Sequence, residues 1–180
     1  MEDAFMEVSI QHVIGTIALA ALTISVALAF QVVVGYVEVN VLKTQLNQVA
    51  EYVSLNIASL VSLTEFAYGE LYTWTVTKDL NLPTDLSGKS YLVKIIEEDG
   101  VYYVQVELAV RKSLNAKSPI PLNLTRTLLY IVTDSNFTIT DGTIKPCSEI
   151  YGGDTKALVW CEKRIINGEE KLCVGLGRRE

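Results

Sequence analysis

Cys147, Cys161, Cys173 and His12 are the residues of this chain whose types could bind a soft metal or carry thiol chemistry. A structural zinc site needs paired CxxC-type spacing, which brings two thiolates to one ion from a single turn. The three cysteines show no such pair, and His12 stands beside a long uncharged run, so no metal site is expected. The carboxylates Glu97, Glu98 and Asp99 cluster next to Gly100, where the charged tip of a hairpin explains them without acid-base work. The chain has no Gly-rich phosphate loop and no Ser-centred nucleophile motif, and its single histidine leaves no imidazole for the C-terminal part. Neither catalysis nor a cofactor is expected.

The cysteines that could meet are Cys161 and Cys173, in a hairpin of residues 157–175 around Asn167-Gly168. A two-residue loop pairs Cys161 with Val174 and sends Cys173 to the other face. A three-residue loop, Ile166-Asn167-Gly168 with Gly in the bulge position, pairs Cys161 with Cys173, Trp160 with Val174, Leu158 with Leu176 and Arg164 with Glu170. The second register is the expected one, and it makes Cys161 and Cys173 a candidate disulfide, with Cys147 an alternative partner or an odd thiol. A clearer hairpin, residues 91–110, turns at Asp99-Gly100. There a two-residue loop sets Tyr91, Val93 and Ile95 against Leu108, Val106 and Val104, with Lys94 opposite Gln105 on the outer face. From Glu70 onward β-branched and aromatic residues dominate, starting with LYTWTVT, which predicts a globular head over residues 67–180. Its expected fold is an antiparallel β-sandwich of about seven strands.

The element that must carry this head is N-terminal. Residues 13–37, VIGTIALAALTISVALAFQVVVGYV, are an uncharged run long enough to cross a bilayer as one helix. Beyond it, Leu42, Leu46, Val49, Val53, Ile57 and Leu60 recur at spacings of three and four, so one helix of residues 8–63, on the order of 80 Å long, is predicted within an N-terminal region of residues 1–66. That stripe suits packing against the head or packing between neighbouring stalks. Within the run, Ala18, Ala21, Ser25 and Ala29 lie close to one face, where small side chains let another helix approach; alanine is also common in any apolar helix. Gly15 and Gln31 join these as candidate packing residues, Gln31 because an amide in hydrocarbon prefers a protein partner. The first twelve residues hold Glu2, Asp3 and Glu7 and no Lys or Arg, unlike a cleaved secretory signal.

Formal net charge is −6, which leaves no positive field for a phosphate backbone, so no nucleic-acid partner is expected. Lys163, Arg164, Lys171, Arg178 and Arg179 alternate with Glu162, Glu169, Glu170 and Glu180 as a solvated face. Charges flanking the run are too few to orient it by the positive-inside rule. Two glycosylation sequons, Asn123-Leu124-Thr125 and Asn136-Phe137-Thr138, favour a head outside the membrane, although eight Asn among this many Ser and Thr supply roughly one sequon by chance.

The Val13-Ile14-Gly15-Thr16-Ile17 opening of the alanine-rich run, with Val8-Ser9 upstream, resembles the N-terminal segment of archaeal type IV pilin-like proteins. Residues 82–95, LPTDLSGKSYLVKI, are similar to the pattern that opens the β domain of such surface proteins. The resemblance implies a long bent helix whose apolar half packs with copies of itself in a filament core, or waits in the membrane before assembly. A β-sandwich head would face outward at the cell surface. Family prepilins carry a basic residue before their processing site, and none stands here. An uncleaved relative would instead be a membrane-anchored accessory protein, similar to the stator proteins of the archaellum. A single-pass surface binding protein is a third expectation.

Overall fold

The structure, a computed structural model, describes residues 2–66, 75–121 and 128–180, with the side chains of residues 2–11, 66 and 128 outside that description. One helix, α1 (Glu2–Phe66), takes up the whole N-terminal region. It contains no proline, and its two glycines, Gly15 and Gly35, do not interrupt it. The chain divides inside this helix into two compact units, Met1–Val41 and Leu42–Glu180.

In the second unit the periodic stripe of α1 is core. Leu46, Ala50, Val53 and Ile57 are fully buried, and Leu42, Val49, Leu60 and Val61 nearly so. Of the two uses the stripe suited, packing within the head is the one observed. Polar side chains tie the same helix down: Ser54 Oγ donates to the Pro119 carbonyl at 2.6 Å and Ser87 Oγ donates to Gln45 Oε1 at 2.9 Å.

Nine strands follow among the described residues: β1 (Thr75–Asp79), β2 (Tyr91–Glu98), β3 (Val101–Leu108), β4 (Asn115–Pro119), β5 (Leu128–Val132), β6 (Ile144–Cys147), β7 (Glu149–Tyr151), β8 (Ala157–Ile166) and β9 (Glu169–Arg179). They form two sheets. One is ordered β4-β3-β2-β7 and is antiparallel throughout. The other runs β1-β8-β9, and the far edge of β9 is shared by β5 and β6. β6 is antiparallel to β9, but β5 is parallel to it. The chain is therefore α+β with a mixed sheet, which corrects the wholly antiparallel expectation. The reason is topological: residues 133–143 turn the chain back, so two successive strands meet the same edge in opposite directions. β6 and β7, separated only by Ser148, carry the chain from one sheet to the other.

The β2–β3 hairpin has the predicted register, Tyr91 opposite Leu108, Val93 opposite Val106 and Ile95 opposite Val104. Asp99 (φ 53°) and Gly100 (φ 75°) both occupy the left-handed region that a two-residue type I′ turn demands. The β8–β9 hairpin differs from expectation. Asn167 (φ 55°) and Gly168 (φ 80°) make the same two-residue turn, so Cys161 faces Val174 and Cys173 faces Glu162. The bulged register is thereby corrected, and with it the Cys161–Cys173 disulfide: the two cysteines point to opposite faces of the sheet, and both are free thiols. The register that wins sets Trp160 opposite Gly175 and Leu158 opposite Gly177, giving the two large side chains room that Val174 and Leu176 would deny.

The two faces of this sheet bury different things. Cys161 meets Thr64 of α1. On the other side Trp160, Leu158 and Cys173 join Val132, Ile139 and Ile144 in a second cluster, against which Phe137 is stacked on Trp160 at 5.4 Å. Trp160 Nε1 donates to the Leu176 carbonyl at 3.0 Å, so its one polar atom is satisfied.

Candidate functional site

The first unit is where the chain exposes its large apolar surface. From Val13 to Val37 every large hydrophobic side chain is 48–73% exposed, fourteen of them on one helix. Burying such a side chain stabilises by about 1.5–3 kcal/mol, so leaving the set in water forfeits on the order of 20 kcal/mol. That exceeds the net stability of an ordinary domain. The surface needs a cover, and α1 is long and apolar enough to cross a membrane.

At about 100° per residue, Ala18, Ala21, Ser25 and Ala29 fall within about 80° of one another, as expected. The helix does not bring all the candidate residues to that face. Gly15 lies about 80° to one side of its centre and Gln31 about 120° to the other. Thr16 and Thr23 lie nearly opposite it, where Gly15 helps to leave a shallow depression lined also by His12 and Ala20.

The polar atoms of the run are mostly satisfied within the helix itself. Ser25 Oγ donates to the Ala21 carbonyl at 2.8 Å, Thr23 Oγ1 to Leu19 at 2.8 Å, and Thr16 Oγ1 to Val13 at 2.9 Å. A hydroxyl bonded to its own helix can face hydrocarbon without a partner. Gln31 makes no such side-chain bond among the described residues.

No family model, curated protein or solved structure matches the chain.

The head offers less chemistry. Among the described residues no cluster of three or more His, Cys, Asp or Glu is placed to hold a metal ion. Burial pushes the Cys161 thiol up to about 12, a shift that Thr64 opposes and the nearby Cys173 and Glu162 reinforce. Burial, followed by Glu162, pushes Cys173 up to about 11. Glu97, Glu98 and Asp99 sit at the β2–β3 tip, where Glu98 pairs with Lys117 across the sheet.

Two features could not be read from local sequence. Glu162, expected on a solvated face, is instead a fully buried carboxylate whose Oε2 accepts from Thr75 Oγ1 and from the Thr140 backbone, each at 3.0 Å. Its Oε1 lies 2.6 Å from Arg164 Nε; the contact is an ion pair without the alignment of a hydrogen bond. The second is an open groove of about 370 Å³ whose lining includes Gln45, Tyr52, Asn81 and Asp85. Nothing in the spacing of those residues announces it, since α1 and the segment before β2 meet only in the fold.

The 82–95 motif has a structural explanation. Tyr91 Oη donates to the Pro83 carbonyl at 2.7 Å, Asp85 accepts from the Gly88 backbone at 2.8 Å, and Leu82 and Leu86 are buried. Gly152 is required opposite it, because a Cβ there would stand 2.3 Å from the Tyr91 ring. Of the two sequons, Asn136 is exposed, whereas Asn123 lies outside the described residues.

Proposed function

We propose that this chain is a structural, non-catalytic subunit of an archaeal type IV pilus-like filament. Copies associate through the apolar part of α1, the membrane holds the chain before assembly, and the two-sheet region serves as a sandwich-type head outside the cell. The observation that carries the reading is the contrast within one helix: its second half is buried in its own head, while its first half leaves fourteen large hydrophobic side chains uncovered. The small-residue face at Ala18, Ala21, Ser25 and Ala29 supports helix-helix contact over lipid contact alone. The pilin-like opening at residues 13–17 adds to it.

The second reading is a membrane-anchored accessory protein, because the apolar part of α1 fits a bilayer by length and composition as well as it fits a filament core. Shearing cells, then imaging the released material by electron cryo-microscopy and assaying the washed membranes, separates the two. The filament reading expects the chain in helical polymers in the sheared fraction. Recovery solely in membranes, with no polymer, would overturn it in favour of the anchor.

A further inference from the structure

We infer that Asn136 is an N-glycosylation site of the head, its carboxamide accepting an oligosaccharide from a polyprenyl-phosphate-linked donor. The inference rests on the head lying outside the membrane, as in the proposed function. Chance alone supplies roughly one sequon in this chain, so the tripeptide by itself decides little. Its setting decides more. Asn136-Phe137-Thr138 lies in the connection between β5 and β6, where Asn136 and Thr138 are exposed and Phe137 between them is partly buried. Phe137 stacks on the buried Trp160 at 5.4 Å, and the Arg164 guanidinium lies 5.0 Å from its ring centre. The middle residue is thus anchored in the second cluster, while the two residues a transferase must engage are held to solvent. The Asn136 backbone N–H donates to Asp134 Oδ1 at 2.9 Å, which forms a turn with the carboxamide left outside it.

In the transfer, the Asn136 amide nitrogen attacks the anomeric carbon of the donor sugar. A C–N bond forms and the C–O bond to the lipid-linked phosphate breaks. The polyprenyl phosphate leaves with the electron pair, and the amide proton passes to a base of the transferase. Nothing is oxidised or reduced. The product is bulky and polar, and the exposed position of Asn136 accepts it without disturbing the packed side of the loop.

The test is mass spectrometry of the full chain purified from its native host. Trypsin cuts after Arg126 but not between Lys145 and Pro146, so residues 127–156 form one peptide with Asn136 as its lone sequon, and Asn123 falls on the separate peptide 118–126. Peptide 127–156 is expected to carry a glycan mass that Asn136→Gln and Thr138→Ala abolish and Thr138→Ser retains. In parallel, a membrane-impermeant amine reagent is applied to intact cells to label the exposed Lys145 and Lys156. An unmodified peptide from a head that does label overturns the glycosylation site and leaves the outward head standing. A head that does not label overturns both.

Discussion

The thiols and one carboxylate are the residues whose ionisation the fold changes most usefully for experiment. With Cys161 pushed up to about 12 and Cys173 to about 11 by burial, neither forms appreciable thiolate at neutral pH, and thiolate is the reactive species. Cys147 is half-buried and its thiol is also raised by burial. A thiol-reactive disulfide dye at pH 8 is therefore expected to titrate Cys147 alone and slowly in the native protein, and three thiols in denaturant without reductant. One thiol in denaturant, with Cys147 still reactive in the native protein, would mean a Cys161–Cys173 bridge and contradict the observed register. Glu107 offers a pH-dependent measurement. It is buried on the face of the β2–β3 pair that carries Lys94 and Gln105, a face expected to be outer but covered in the fold. Burial alone would raise it, but Lys94 Nζ at 3.0 Å and Gln105 Nε2 at 2.7 Å outweigh that and hold it below the usual 4.5. A carboxylate lowered by folding contributes stability above its unfolded value, and that contribution is lost as pH falls through the folded one. The urea midpoint is accordingly expected to fall in acid below about pH 4.5, with a shallower fall in Glu107→Gln. Identical acid slopes in the two proteins would remove Glu107 from the explanation.

At the scale of elements, the β8–β9 pair turns on two glycines. A Cβ at Gly175 would stand 2.9 Å from the Val132 carbonyl oxygen and 3.0 Å from Cζ2 of Trp160. Gly175→Ala is expected to destabilise the head by about 1–3 kcal/mol, the usual range for overpacking, measured as a lowered urea midpoint with an unchanged slope. An unchanged midpoint would mean that Trp160 has room the geometry denies. The same glycines explain what was and was not legible beforehand. The β2–β3 hairpin could be read because alternation on both strands and the Asp99-Gly100 turn agree on one register. At Asn167-Gly168 the dipeptide suits two loop lengths, and cysteine pairing favoured the wrong one. The deciding signal was the alternation of large with absent side chains, Trp160 against Gly175 and Leu158 against Gly177. The parallel β5 carries no local signature at all, because LLYIV pairs with a strand some forty residues later in the chain.

For the molecule as a whole, the length of the apolar run of α1 and the buried stripe that follows it were legible, since a helix maps spacing directly onto surface. Its use was less legible, because lipid tails and a neighbouring apolar helix offer nearly the same chemistry to Val, Leu and Ile. Size complementarity is what distinguishes them: lipid adapts to any face, whereas a second copy of this helix approaches closely only where Ala18, Ala21, Ser25 and Ala29 leave room. Gly15 and Gln31, though polar or small, lie away from that face and are not expected to share its contacts. The most direct measurement is a cysteine scan of residues 16–31 in a Cys147→Ser background, oxidising the assembled or membrane-embedded chain and quantifying cross-linked dimers. Cross-linking is expected to peak at positions 18, 21, 25 and 29 and to be weak at Thr23 and Ala27 on the opposite side, since a disulfide forms only when Cα atoms come within about 7 Å. A flat profile, or no cross-linked dimer at any position, would contradict self-packing of this helix.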